Sequence, residues 1–394
     1  MNNKEYLISL VSSVLNNKKP ENPPQGVDFW EIYELAKAHS VTEILSYAVD
    51  SLEIKPSEEF CERMRKEQMS GIMKEVYQDN VLSSFFELCT EAKIPHMPLK
   101  GSVTKTLYPH AYLRNMCDMD ILVKESDLDR AGKLLEKLGL VYELSGTHDR
   151  SYKKPPFVCV ELHFKMSDTR SNVVSSEYYE SVWSLAHPKS EGEYLYLLNE
   201  SDFFVFLIEH LCKHYRYAGV GIKPYADVYL YLKENKDKID MDYVDSIFEK
   251  FGIKKFAHHV INLANKWFGD GEGDELSDEM ANYVLSSGAF GYADMARAAR
   301  EVRSQKRGEK KRSRFGYYIT RIFPPYRHMC ISYPSLRGKG ILLPFYWVYR
   351  WFERLISRKG DLKGTMTYGA NATDVAYYEK HIKDLGLENI QDTE

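Results

Sequence analysis

Asp118 and Asp120 stand two residues apart in RNMCDMDILV (Arg114 to Val123), a run whose second half alternates in the manner of a β-strand. Positions i and i+2 of a strand share a face, so the two carboxylates repel each other unless a cation sits between them. Glu161 lies in FVCVELHF (Phe157 to Phe164), a strong strand pattern, where Val160 and Leu162 flank it and make it a lone acid among apolar neighbours. If the two strands are neighbours in a sheet, the three acids converge on one spot. Hard oxygen donors of that kind suit Mg²⁺ or Mn²⁺. Upstream, Lys100-Gly101-Ser102 follows the apolar run Ile94 to Leu99 and precedes a short helix ending at Tyr108-Pro109. Backbone N–H groups at a helix start bind phosphate, and a glycine lets the chain approach a ligand closely. By themselves, Asp118 and Asp120 also fit a solvated sheet face. The order strand, Gly-Ser, helix, Asp-x-Asp, strand, lone Glu favours a site.

The elements that must position these residues can be read from the same patterns. Residues 1–17 predict one amphipathic helix, and KKPENPPQG (Lys18 to Gly26) breaks it. A helical pattern resumes from Phe29 to Leu52, and residues 57–93 predict long helices charged on one face. Ile94 to Leu99 reads as a strand. Ser126 is placed as the cap of a helix whose apolar face is Leu128, Ala131, Leu134, Leu135 and Leu138, ended by Gly139. Leu140 to Leu144 is a strand candidate, and residues 145–156 read as a polar loop. From Glu177 onward the chain reads as helical, most clearly from Ser201 to His214, and DGEGDE (Asp270 to Glu275) reads as a loop.

PLKGS (Pro98 to Ser102), DMDILV (Asp118 to Val123) and VELHF (Val160 to Phe164) resemble the motif series of the DNA polymerase beta-like nucleotidyltransferase superfamily. That series is a hydrophobic residue followed by Gly-Gly or Gly-Ser, an acid-x-acid, and a third acid on a later strand. Here Lys100 directly precedes Gly101, and Leu99 stands one place earlier. The longer series LKGSVTKTLYP…R…CDMDILV…ELHF is similar to the bacterial family called uncharacterised nucleotidyltransferases, over roughly residues 28–355. The resemblance implies an α+β fold, a small mixed sheet of the nucleotidyltransferase type flanked by N-terminal and C-terminal helical regions. It implies that Asp118 and Asp120 hold Mg²⁺ or Mn²⁺ bridging the nucleotide phosphates, and that Glu161 completes the metal site or acts as general base. It implies that Gly101 and Ser102 hold the β/γ phosphates, and it places an Arg at Arg114, which could neutralise a phosphate or stand at the surface; Lys100 and His163 are further nucleotide-side candidates from their positions, with contact to the acceptor, or a partly buried, hydrogen-bonded ring, as alternatives for His163. The reaction would move a nucleoside monophosphate from an NTP to an unknown hydroxyl-type acceptor and release pyrophosphate. Two other readings stay open: a non-catalytic nucleotide-binding scaffold or sensor, and a toxin-like transferase acting on tRNA or protein.

Other features carry weaker signals. His210 and His214 are four apart on a helix and share its face. With Asp227 they are candidates for the acceptor side, while a zinc site there lacks a third ligand. Arg297 to Arg314 holds nine Lys/Arg against two Glu. It reads as a solvated helix and linker, with a polyanion such as RNA or an acidic membrane surface as the alternative. ILLPFYWVYRWFERLI (Ile341 to Ile356) reads as a helix packing on the protein, with a membrane-interface helix as the alternative. Residues beyond about Thr365 read as an exposed tail or peripheral helix.

The 394 residues divide on these patterns into four regions: 1–93 (helical), 94–176 (nucleotidyltransferase core), 177–290 (helical, acceptor side) and 291–394 (basic segment and C-terminal helices). Apolar residues make up 44% and charged residues 28%, which excludes disorder, collagen and coiled coil for most of the chain. A net charge of −4 argues against binding nucleic acid through bulk charge. The six cysteines include no CxxC pair, which fits reduced thiols rather than a zinc ribbon. No segment reads as an export signal or reaches the ~20 apolar residues of a membrane span. The expected location is the cytoplasm, with peripheral membrane contact through the C-terminal region left open.

Overall fold

The computed structural model describes residues 1–146, 148–167, 172–217, 219–288, 293–306, 319, 322–326, 329–330, 333–336, 338–357 and 372–391. The chain forms two compact units, residues 1–292 with 381–394, and residues 293–380. Of the basic run from Arg297 to Arg314, the part beyond Lys306 lies outside the described residues.

Four helices open the chain: α1 (Asn3–Leu15), α2 (Phe29–Ala38), α3 (Thr42–Ser51) and α4 (Glu58–Glu91). Polar caps start three of them. Asn2 and Glu5 form a reciprocal capping box on α1, and Asp28 and Ser57 accept from free N–H groups of α2 and α4. Residues 57–93 give one 34-residue helix rather than several, about 50 Å long. Its C-terminal half places Val81, Leu82, Phe85 and Cys89 in the core under the sheet.

The five-stranded sheet has the order β1-β2-β5-β4-β3, from β1 (His96–Pro98), β2 (Met119–Val123), β3 (Val141–Ser145), β4 (Asp149–Lys154) and β5 (Val158–His163). β2 and β5 run parallel, and the other pairs are antiparallel. The sheet is therefore mixed, as expected. Between β1 and β2 stands the one-turn helix α5 (Gly101–Thr104), and between β2 and β3 stands α6 (Leu128–Lys137). The pleat sends Met119, Ile121 and Val123 of β2, with Val158, Val160 and Leu162 of β5, into the core that α4 and α6 cover. Asp120, Glu161 and His163 must then lie on the opposite face.

Four expectations need correction. β4 runs through the stretch read as a polar loop; paired between β5 and β3, it carries only Tyr152 as an apolar core residue. Ser126 does not cap α6, which starts at Leu128 after a 3-10 turn over Glu125–Asp127 and has no side-chain cap bond. Asp118 precedes β2 instead of lying on it. The region after Glu177 is not all helical: after α7 (Val173–Tyr179) and α8 (Val182–Leu185), β6 (Ala186–Pro188) and β7 (Tyr196–Leu198) make a two-stranded hairpin.

Five further helices follow: α9 (Glu200–Tyr217), α10 (Lys223–Asn235), α11 (Met241–Phe251), α12 (Lys254–Phe268) and α13 (Glu275–Ser287). α9 packs against α10, α11 and α12, and α1 packs against α12. The N-terminal helices thus close against the helical layer as well as the sheet. In the second unit, α14 (Ala293–Lys306) and α15 (Leu343–Ser357) are followed by α16 (Ala372–Asp384), which ends in the first unit. The chain end is not an exposed tail. His381, Ile382, Leu385 and Leu387 are buried, His381 bonds the Tyr215 hydroxyl, and the Val173 N–H donates to the Gln391 carbonyl. No helix among the described residues is long and apolar enough to cross a membrane.

Candidate active site

Neighbouring parallel strands bring the acids together. In the β2–β5 register Asp120 stands opposite Glu161, and Leu122 opposite His163. Asp120 is buried, Glu161 half-buried, and Asp118 half-buried at the entry to β2. One Asp120 oxygen, Oδ1, accepts from Lys100 Nζ at 2.7 Å and meets His163 Nε2 at 2.7 Å. His163 Nε2 also lies 3.6 Å from Glu161. Asp120, Glu161 and His163 each offer a ligand atom, all within 4.8 Å of one another. Asp118 lines the same cavity and is not part of that group of three.

The charges explain how a buried carboxylate survives here. Burial alone would push Asp120 toward the neutral form, yet Lys100 and His163 hold its carboxyl below the ordinary range. Lys100 shows the converse: burial works against its ammonium, and Asp120, with Asp118 and Glu161 behind it, raises it overall. His163 is likewise raised, since Asp120 and Glu161 outweigh burial. Asp118 is raised by burial and then by Asp120, while Glu161 is lowered chiefly by its bond to His163.

Lys100 reaches Asp120 from an unusual backbone. Its φ of +46° is a left-handed value that costs a residue with a Cβ roughly 1–3 kcal/mol. Gly101 is required by what stands beside it. An added Cβ would lie 3.0 Å from Met116 Sδ and 3.4 Å from the Arg114 guanidinium carbon. The Lys-Gly-Ser turn is therefore packed against the loop that carries Asp118, and the Ser102 N–H donates to the Leu99 carbonyl.

That loop is held from three sides. Arg114 grips Asp227 of α10 through Nε and Nη2 at 2.6–3.0 Å, and Tyr108 donates to the same carboxylate at 2.9 Å. Arg114 Nη1 donates to the Asn115 carbonyl. Lys223 of α10 donates to that same carbonyl at 2.6 Å. Glu43 of α3 and Lys74 of α4 bind the Asn115 side chain. Gln78 of α4, 1% exposed, donates to the carbonyls of both Met116 and Phe157, at 3.1 Å each. One amide thus ties together the segments that lead into β2 and β5. The N-terminal helices, which carry no catalytic motif, fix the strands that do.

These groups line one cavity of about 450 Å³. Lys100, Gly101, Arg114, Asp118, Asp120, Glu161 and His163 form one side; His210 and His214 of α9, with Lys223 and Asp227 of α10, form the other. Ser102 is not among the lining residues. The His210 and His214 Nε2 atoms are 3.0 Å apart. Desolvation in the cleft, with Lys100 next, holds both rings below the ordinary histidine value, His214 at about 4. Both are therefore neutral at pH 7.

Three lining groups escaped the sequence reading. Lys223 is lowered to about 8 by burial and by Arg114, and its signal was only a lysine before the Pro224 of a helix start. His148, whose ring centre lies 5.5 Å from that of His163, was hidden in the supposed loop. Lys213, visible between the two histidines, was given no role from the sequence and lines the cavity with them. Behind the cavity, the fully buried Glu209 accepts from Ser167 and Ser175 and is raised by burial. A lone acid in FFVFLIEHLC was the signal for it.

Comparison with known proteins adds one positive finding. A family model described as uncharacterised nucleotidyltransferase matches residues 25–269, stopping short of the expected 355. No curated protein and no solved structure matches the chain.

Proposed function

The chain belongs to the family of uncharacterised nucleotidyltransferases, and on that premise we propose that it moves a nucleoside monophosphate from an NTP to a hydroxyl-type acceptor. The observation that carries the proposal is the convergence of Asp118, Asp120 and Glu161 on one side of a cavity whose far wall is built from histidines. The acceptor oxygen would bond to the α-phosphorus as the bridging oxygen to pyrophosphate leaves, and the hydroxyl proton would pass to a base.

The donor set fits a divalent cation. Asp120 and Glu161 offer hard oxygens beside His163, with Asp118 lining the same cavity. Bound there, Mg²⁺ or Mn²⁺ would neutralise the triphosphate and the departing pyrophosphate. Lys100 supplies a fixed positive charge at Asp120 and is the group best placed to turn to a phosphate. Gly101 offers a backbone N–H group beside it, whereas the Ser102 N–H is taken by the Leu99 carbonyl. Glu161, kept ionised by His163, is the candidate base. His210 and His214, neutral at pH 7, can accept a hydrogen bond from the acceptor hydroxyl. Arg114 and Asp227 act on each other, so we assign them to positioning the Asp118 loop, not to direct phosphate contact. On this reading residues 94–176 serve the nucleotide and 177–290 the acceptor.

A thermal-shift panel tests it, with ATP, GTP, CTP and UTP, each with and without Mg²⁺ or Mn²⁺. A ligand at about a hundred times its dissociation constant stabilises the fold by roughly 2.7 kcal/mol. The expected result is a metal-dependent shift with at least one nucleotide, lost in Asp118→Asn/Asp120→Asn. Folded protein that no nucleotide stabilises would overturn the proposal.

A further inference from the structure

Helix α15 has two unlike faces. One is closed by its own unit: the Trp347 indole N–H donates to the Pro324 carbonyl at 2.9 Å, Trp351 donates to the Ile322 carbonyl at 3.2 Å, and the Tyr346 hydroxyl meets Ser335 at 2.9 Å. The other face carries Phe345, Val348, Tyr349 and Phe352 at helical spacing, between 55% and 71% exposed, and Ile341, 91% exposed, stands in the 3-10 turn just before the helix. At 100° per residue these positions span about 100° of arc, opposite the tryptophans. Soluble proteins rarely leave so continuous an apolar stripe in water.

Charge identifies the occupant. Residues 293–380 hold 19 Lys/Arg against seven Asp/Glu, a net of +12 in a chain whose total is −4. The stretch of sequence that holds this apolar helix face therefore also carries a large excess of positive charge. Aromatic and aliphatic residues on one face of a helix within a basic region match an anionic lipid surface. Nucleic acid would use the charge and could stack on Phe345 or Tyr349, but it has no use for Ile341 and Val348. A 15-residue helix is about 22 Å long, too short to cross a hydrocarbon core of about 30 Å. We infer that α15 and the turn before it dock the protein on anionic membranes, with α15 lying in the interface plane and Ile341, Phe345, Val348, Tyr349 and Phe352 inserted.

Vesicle flotation of the full-length protein tests this, using phosphatidylcholine alone and phosphatidylcholine with about a third phosphatidylglycerol. The wild type should float with the anionic vesicles only, and less at high salt. Phe345→Ser/Phe352→Ser should lower the bound fraction by more than about tenfold. Both side chains are exposed, so the variant should keep the wild-type unfolding midpoint, which is measured alongside. No flotation with anionic vesicles would overturn the inference. Flotation that the double variant leaves unchanged would also overturn it, because bulk charge would then suffice. A wild-type dimer that the variant converts to monomer in sedimentation would assign the stripe to a second copy instead. An RNA oligonucleotide that binds through Phe345 and Phe352, in protein that ignores vesicles, would assign it to nucleic acid.

Discussion

At the scale of single residues, the site is a contest for one oxygen. Lys100 and His163 both bind Asp120 Oδ1, so a divalent cation must compete with an ammonium already in place. Lys100→Met should therefore bind Mn²⁺ alone roughly tenfold more tightly than wild type in calorimetric titration. The same variant should lose affinity for nucleotide. Elsewhere, His39 is 1% exposed with its Nδ1 unpartnered, and burial lowers it from 6.5 to about 4. The folded protein keeps this ring neutral, while the unfolded chain takes up a proton below 6.5. Its contribution is thus complete above pH 6.5 and is lost as pH falls toward 4. Urea denaturation should show a loss of about 2–3 kcal/mol from this group between pH 7 and 4.5. His39→Leu should flatten that part of the slope.

At the scale of elements, the acids depend on a helix that contains none of the motif residues. Gln78 lies on α4, and its side-chain amide holds the carbonyls that lead into both acidic strands. Gln78→Met conserves volume and leaves those carbonyls unpaired in the interior. It should cost about 1–3 kcal/mol in urea unfolding, and it should weaken the metal-dependent nucleotide shift more than a surface variant of equal stability. The strands themselves were largely legible. Alternation located β2 and β5, and four of the five residues assigned to the apolar face of α6 are buried on it, Leu138 standing half-buried just past its end. The half-buried β4 was not legible, because a strand near the sheet edge with polar residues on both faces gives no period-2 signal. The hairpin β6–β7 failed for another reason: strands of three residues are too short to show a period.

At the scale of the molecule, the chain returns to its beginning. Leu385 and Leu387 are 0% and 1% exposed, and both belong with the first unit although a separate unit intervenes. Leu385→Ala should destabilise that first unit by about 2–5 kcal/mol, read as a lower midpoint in denaturant. A wholly peripheral tail would show no such loss. The charge is divided just as unevenly: a net of −4 conceals a +12 unit and a −16 remainder.

The sequence by itself named the candidate acids and the turn before them, and set Asp120 and Glu161 on strands. Residue type and two-residue periodicity are local properties, and a lone Glu between Val160 and Leu162 is visible without a fold. Tertiary structure alone decided what those groups face. Nothing local links Arg114 to Asp227 across 113 positions, Gln78 to Phe157, or Lys223 to the loop before Asp118. Such pairs form because α4 packs on the sheet and α9 packs on α10, and the polar residues at the seams are then paired by proximity. The same packing set Lys100 against Asp120, where charge, burial and backbone strain balance only in the assembled fold.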